Sequence, residues 1–229
     1  MTDTSWSIPV GDETTTAVYR AGGADDGVVF VCAHGAGGRL NDKGMLALAK
    51  ELESRRLDVI RFNFLYREKG SGRPDPMPRL EKCFEAVVAR VREELKPRTL
   101  IIGGRSMGGR AASMLAAKGF DCDGLLMFAY PLHPPGRPEK LRDAHLPSIK
   151  VPVLCFNGTR DTFCTPELMV KALEPVKTKW EMHWLEGADH SFHVLKSSGR
   201  TDAGVLDEVG SVTQDWIMRV PSRQERSTI

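Results

Sequence analysis

The stretch Thr99-Leu100-Ile101-Ile102-Gly103-Gly104-Arg105-Ser106-Met107-Gly108-Gly109 leads, after Arg110, into Ala111-Ala112-Ser113-Met114-Leu115-Ala116-Ala117. An apolar run of strand length meets an alanine-rich helix through a turn built from small residues. A bare Gly-x-Ser-x-Gly pattern arises by chance in glycine-rich chains, and it also describes a strand-to-helix turn with a serine cap. The context is more specific: a buried strand before it and a helix after it form the setting in which a serine oxygen is held exposed on a sharp turn. Gly104 and Gly108 are the positions where the flanking elements need clearance. Ser106 is therefore the candidate nucleophile.

Further strand-length apolar runs lie on both sides of this stretch. They are Val28–Ala33, Asp58–Leu65, Gly124–Tyr130, Pro152–Asn157 and Trp180–Leu185. Several are almost continuously hydrophobic, as in strands covered on both faces. Helix-length amphipathic stretches alternate with them: Asn41–Arg55, a stripe of Leu80, Phe84, Val88, Val91 and Leu95, and a second stripe of Val205, Val209, Val212 and Trp216. This order predicts an α/β protein with a mostly parallel central sheet and helices on both faces. Thr165-Pro166-Glu167 reads as an N-cap with proline at the first helical position. Tyr66–Pro78 and Leu132–Ile149 read as loops at the sheet edge, too short for a large helical lid. One domain over residues 1–229 is expected, with 1–10 and 219–229 peripheral or frayed.

A hydroxyl is a weak nucleophile at neutral pH and needs a base within reach. With the serine on such a turn, the acid and then the histidine are expected at the ends of later strands. The run Val153–Asn157 leads into Gly158-Thr159-Arg160-Asp161, and the run ending at Leu185 leads into Glu186-Gly187-Ala188-Asp189-His190-Ser191-Phe192. Asp161 and His190 occupy the acid and base positions. Taken singly, Asp161 could equally serve the helix start near Thr165, and His190 could be a solvated loop residue. Asp189 is a rival acid, but its place next to His190 in the chain keeps it from the far ring nitrogen. His133, His145, His183 and His193 read as structural or surface residues.

Acyl transfer builds negative charge on a carbonyl oxygen, and backbone N–H groups aimed at it are usually the largest stabilising influence. The loop His34-Gly35-Ala36-Gly37-Gly38, leaving the first long strand, supplies one such donor at Ala36, and Met107 supplies the other. His34 reads as a residue that holds this loop by hydrogen bonding. Arg39, Arg67, Lys69, Arg73 and Arg160 lie in or near loops at the same end of the sheet. They form a candidate cationic rim that would favour an acidic substrate, against the alternative that they are solvated or paired.

The formal net charge of +2, from 32 basic and 30 acidic residues, is too balanced for a polyanion-binding field and argues against nucleic acid as a partner. No apolar run is long enough to span a membrane, and the N-terminus lacks the pattern of a secretory leader. Five cysteines without a paired spacing argue against a disulfide framework or a zinc site. A cytoplasmic protein without cofactor or metal is the expectation, with oligomeric state open.

These residues resemble the α/β-hydrolase superfamily, and more narrowly its small, lidless, dienelactone-hydrolase-like branch, which includes testis-expressed protein 30 and KANL-like hydrolases. The narrower resemblance rests on Phe62-Asn63-Phe64-Leu65-Tyr66 with Gly72-Arg73-Pro74-Asp75-Pro76, on Gly104–Gly109, on Gly158–Asp161 and on Gly187–Phe192. It covers most of the chain. It is specific to the branch and not to a substrate; the ordered Ser106-Asp161-His190 triad and the two oxyanion donors, Ala36 and Met107, point to hydrolysis of a small-molecule carboxylic ester, with a thioester as the neighbouring chemistry. A catalytically silent binding or scaffold protein and a small peptidase are the alternatives. Dienelactone hydrolases carry a cysteine nucleophile, so their substrate is not implied here.

Overall fold

The computed structural model describes residues 3–23 and 27–221. Residues 1–2 and 222–229, within the two termini expected to be peripheral or frayed, lie outside the described residues. Eight strands form one sheet: β1 (Thr4–Val10), β2 (Glu13–Arg20), β3 (Val28–Ala33), β4 (Asp58–Phe62), β5 (Thr99–Arg105), β6 (Gly124–Phe128), β7 (Val153–Gly158) and β8 (Trp180–Leu185). Their order across the sheet is β1-β2-β4-β3-β5-β6-β7-β8. β1 and β2 pair antiparallel, as do β2 and β4, and every later pairing is parallel.

The helices are α1 (Lys43–Ser54), α2 (Leu65–Glu68), α3 (Met77–Leu95), α4 (Met107–Ala117), α5 (Pro166–Leu173) and α6 (Asp202–Ile217). Successive residues of a strand point to opposite faces, and the core divides accordingly. Phe30, Ile101, Leu126, Phe128 and Phe156 pack with Met45, Leu48 and Leu52 of α1 and with Val205, Val209 and Trp216 of α6. Val31, Ile60, Phe62, Ile102 and Met127 pack with Leu80, Phe84, Val87, Val88 and Val91 of α3 and with Ala111, Ala112 and Leu115 of α4. Truncating a fully buried Phe84 or Trp216 would remove roughly 3–5 kcal/mol.

This is the mostly parallel, doubly covered sheet expected from the alternation of strands and helices, in the α/β-hydrolase arrangement. The hairpin of β1 and β2 is additional. Its period-2 signal is present in Trp6, Ile8 and Val10, which are buried while Ser5, Ser7 and Pro9 are exposed. The run is too polar to stand out on hydrophobicity. Thr165 caps α5 as expected, its hydroxyl accepting from the Leu168 N–H at 3.4 Å, with Pro166 at the first helical position.

The two presumed edge loops differ from expectation. Residues 66–68 belong to α2, and 77–78 begin α3. Both segments fold over the C-terminal ends of the strands, where Pro74, Asp75, Pro135 and Arg142 line a groove, rather than along an edge. No helix of the described residues is long and apolar enough to cross a membrane.

Candidate active site

β3, β5, β7 and β8 end at the same side of the sheet, and the segments that leave them meet around one open groove of about 920 Å³. β5 delivers Ser106. Gly104 has φ +142°, and a Cβ there would lie 2.2 Å from the Ala33 carbonyl oxygen; at Gly108 the corresponding distance is 2.5 Å. Only glycine lets β5 and α4 pass this close to β3. Ser106 itself has φ +49° and ψ −114°, a conformation that costs a non-glycine residue about 1–3 kcal/mol. Its backbone is pinned on both sides, its N–H donating to the Phe128 carbonyl at 2.8 Å and its carbonyl accepting from the Arg110 N–H at 3.0 Å.

The structure brings Ser106, His190 and Asp161 together. The Ser106 Oγ lies 3.0 Å from His190 Nε2, and His190 Nδ1 lies 2.8 Å from Asp161 Oδ2. The carboxylate is fully buried, while the imidazole keeps a partly open face. Asp161 Oδ1 accepts from the Phe163 N–H at 2.8 Å, and Oδ2 also accepts from Asn157 Nδ2 at 3.1 Å. Asn157 is buried and exchanges two further hydrogen bonds with the backbone of Tyr130. A hydroxyl that meets an imidazole held by a carboxylate can pass its proton to the ring as the oxygen attacks an electrophile.

The segments after β7 and β8 are joined to each other. The Arg160 N–H donates to the Ala188 carbonyl at 2.9 Å, and the Gly187 N–H donates to Thr159 Oγ1 at 2.8 Å. A bridge between Ala188 and Val194 closes the loop that carries His190. Asp189 is occupied within that loop, its Oδ1 accepting from the N–H groups of Ser191 and His193. The His190 ring rests on Phe163, with centroids 4.5 Å apart, and Arg105 Nη2 donates to the His190 carbonyl at 3.0 Å.

Ala36 and Met107 line the same groove as Ser106. Among the described residues, neither N–H donates to a protein acceptor. The loop holding Ala36 is braced by the segment after β4. The Tyr66 hydroxyl donates to the Ala36 carbonyl at 2.8 Å, and Arg67 donates to the carbonyls of Gly38, at 2.7 Å, and Gly37. His34 is buried; its Nε2 accepts from the Phe64 N–H at 3.1 Å, which leaves the proton on Nδ1, 2.7 Å from the Gly35 carbonyl. Burial pushes the His34 pKa down to about 4, so the ring is neutral at pH 7. His34 thus holds the loop.

The residues of the candidate cationic rim have the following positions in the structure. Arg67 is consumed in bracing the loop, and Lys69 pairs with Glu13 at 2.5 Å. Arg160 donates to the Gly187 carbonyl at 3.0 Å. Arg39 and Arg73 are exposed and do not line the groove. The arginines that do line it are Arg105, Arg110 and Arg142, none of which the loop reading selected. Position in sequence shows which residues leave the sheet at its C-terminal end but not which way their side chains turn. Asn157 was equally missed, although a lone amide inside an apolar strand is a readable signal.

The remaining histidines have other partners. His183 faces Glu208 at 2.7 Å, His145 faces Ser113 at 2.8 Å, His193 faces Asp202 at 3.0 Å, and His133 lies 2.9 Å from the Pro134 carbonyl. All five cysteines are buried and none forms a disulfide, and among the described residues no cluster of three His, Cys, Asp or Glu side chains could hold a metal ion.

Residues 26–218 match the family described as an alpha/beta hydrolase domain. Among solved structures, Est1E from Butyrivibrio proteoclasticus, with ferulic acid bound, is similar at 15% identity and a TM-score of 0.75, over 94% of this chain and 98% of that one. A dienelactone hydrolase from Anabaena variabilis is similar at 20% identity and a TM-score of 0.74, over 96% and 98%. A serine hydrolase without a lid from Xanthomonas campestris is similar at 22% identity and a TM-score of 0.66, over 90% and 92%. At these identities the likeness is one of fold.

Proposed function

The chain belongs to the alpha/beta hydrolase family, and we propose that it is a serine hydrolase that cleaves a carboxylic ester of a small molecule through an acyl-enzyme on Ser106. The observation that carries this reading is the pair of contacts from Ser106 Oγ to His190 Nε2 and from His190 Nδ1 to Asp161 Oδ2, at 3.0 and 2.8 Å. As Oγ attacks the ester carbonyl, its proton passes to Nε2, and Asp161 stabilises the imidazolium and holds its orientation. The N–H groups of Ala36 and Met107 donate hydrogen bonds to the carbonyl oxygen as negative charge develops on it.

The tetrahedral species collapses with return of the Nε2 proton to the leaving alkoxide, which departs as the alcohol. Water then attacks the acyl-Ser106 carbonyl and gives its proton to Nε2. That proton returns to Oγ as the carboxylic acid leaves, which closes the cycle. A thioester fits the same steps with a thiol as leaving group.

Reaction with a fluorophosphonate probe, read by intact mass, tests the proposal together with turnover of p-nitrophenyl esters. The expected result is one adduct per chain, absent in Ser106→Ala, and turnover lost in His190→Ala. An unlabelled wild-type protein, or equal labelling of Ser106→Ala, would overturn it in favour of a binding or scaffold role.

A further inference from the structure

Among the described residues, Arg110 and Arg142 are the partly buried arginines whose side chains have neither a hydrogen-bond nor an ion-pair partner, and both line the groove that contains Ser106. Arg110 Nε is shielded from solvent with no acceptor. A guanidinium partly withdrawn from water without an acceptor gives up hydration and gains nothing in return, so such groups are normally paired; the remaining side-chain nitrogens of both arginines stay open to solvent in the groove. The two also sit close enough to oppose each other: burial, followed by the charge of Arg110, draws the Arg142 pKa down. His145, linked to Arg110 through Ser113, adds no third positive charge at pH 7, since burial and Arg110 push its pKa down to about 4.

We propose that Arg110 and Arg142 form an anion subsite next to Ser106 and select esters that carry a carboxylate. This extends the ester-hydrolase reading above and rests on it.

The placement supports this assignment. Arg110 stands one helical turn along α4 from Ser106, and helical side chains lean back towards the N-terminus of their helix, here the end at which Ser106 sits. Arg142 comes from the segment between β6 and β7, whose backbone is fixed where its N–H meets the Leu132 carbonyl at 2.7 Å and its carbonyl meets the Tyr130 hydroxyl at 2.8 Å. Two planar guanidinium groups from separate elements can each present a fork to the two oxygens of a carboxylate. The acidic residues of the groove do not fill the subsite. Asp42 Oδ2 accepts from the Arg39 N–H at 2.6 Å, and Asp75 is engaged by the Tyr66 N–H at 3.1 Å and by Arg79.

The test compares kcat/KM for two matched pairs of esters. Mono-p-nitrophenyl succinate against p-nitrophenyl butyrate places the charge on the acyl side, and 4-carboxyphenyl butyrate against phenyl butyrate places it on the alcohol side. The wild type is expected to prefer the charged member of one pair by about tenfold or more, the scale of a charge-assisted hydrogen bond. The preference should fall towards unity in Arg110→Gln and Arg142→Gln and reverse in Arg142→Glu. The Arg142 variants, in a loop, serve even if the α4 variant folds poorly.

Ratios near one for both pairs in the wild type, or a preference unchanged in every variant, would overturn the subsite while leaving ester hydrolysis intact. If no ester is turned over, the hydrolase reading fails separately, and the subsite is judged by titration calorimetry with succinate. Heat lost in Arg142→Gln supports it; no heat, or equal heat in the variant, overturns it.

Discussion

Arg105 donates through Nη2 to the carbonyl of His190 at 3.0 Å while its guanidinium lies over the ring of Phe192, 5.5 Å from the centroid. The residue before Ser106 in the chain therefore anchors the loop that carries the imidazole, linking the ends of β5 and β8 across the groove. Replacing Arg105 with Met keeps the stem and removes the donor. We expect kcat for p-nitrophenyl butyrate to fall by about 10–100-fold with little change in KM, since a displacement of about 1 Å in a reacting group has that scale. An unchanged kcat would show that the loop holds His190 without Arg105.

Asp161 and Asn157 should separate chemistry from stability. In Asp161→Asn the ring loses its orienting charge, and kcat should fall by about 10³–10⁴-fold. Asn157→Ala leaves the Tyr130 backbone groups unpaired in the core, which should remove about 3 kcal/mol. That corresponds to a melting temperature lower by about 6–12 °C, with a smaller loss of turnover than in Asp161→Asn. Thermal melts and kinetics on the two variants check both expectations; an Asn157→Ala melting temperature equal to the wild type would be the contrary result.

The glycines of the site are not equivalent. At Gly104 an added Cβ meets the Ala33 backbone at 2.2 Å with φ already positive, whereas at Gly37 nothing lies within 4 Å. Gly104→Ala should destabilise the protein by about 3 kcal/mol or more, and Gly37→Ala by less than about 1 kcal/mol. Urea midpoints for the two variants would show whether the order holds.

Stability should decline on mild acidification. The His34 pKa in the folded protein is pushed by burial to about 4, below its ordinary 6.5, and His145 moves the same way to about 4. The unfolded chain then binds more protons than the folded one between these values. This contribution is complete above about pH 6.5 and is lost as pH falls towards 4. Urea unfolding across pH 4 to 7 should show the slope, and His34→Asn should flatten part of it; an unaltered slope would remove His34 as a cause.

How much of this was legible in the sequence can be judged element by element. The runs at 28–33, 99–103 and 152–157 stand out because strands covered on both faces must be apolar along their whole length, whereas the run at 180–185, an edge strand with Glu181 and His183 in it, stands out only by its length and its two tryptophans. Ser106, Asp161 and His190 could be named because each follows a strand-length run, and parallel strands bring their C-terminal ends to one side. The β1–β2 hairpin escaped notice because an edge strand buries only alternate residues. Asn157 and Arg105 escaped because their partners, Tyr130 and His190, are 27 and 85 residues away.

By itself, the sequence determined the order of elements and the residues that leave the sheet at its C-terminal end, since periodicity and local turn chemistry act over a few neighbouring residues. Only the tertiary structure decided which of those side chains turn inward. Arg67 braces the loop of Ala36, while Arg110 and Arg142 face the groove. The direction of a long side chain depends on which acceptors other segments bring within reach, and those contacts exist only after the sheet has assembled.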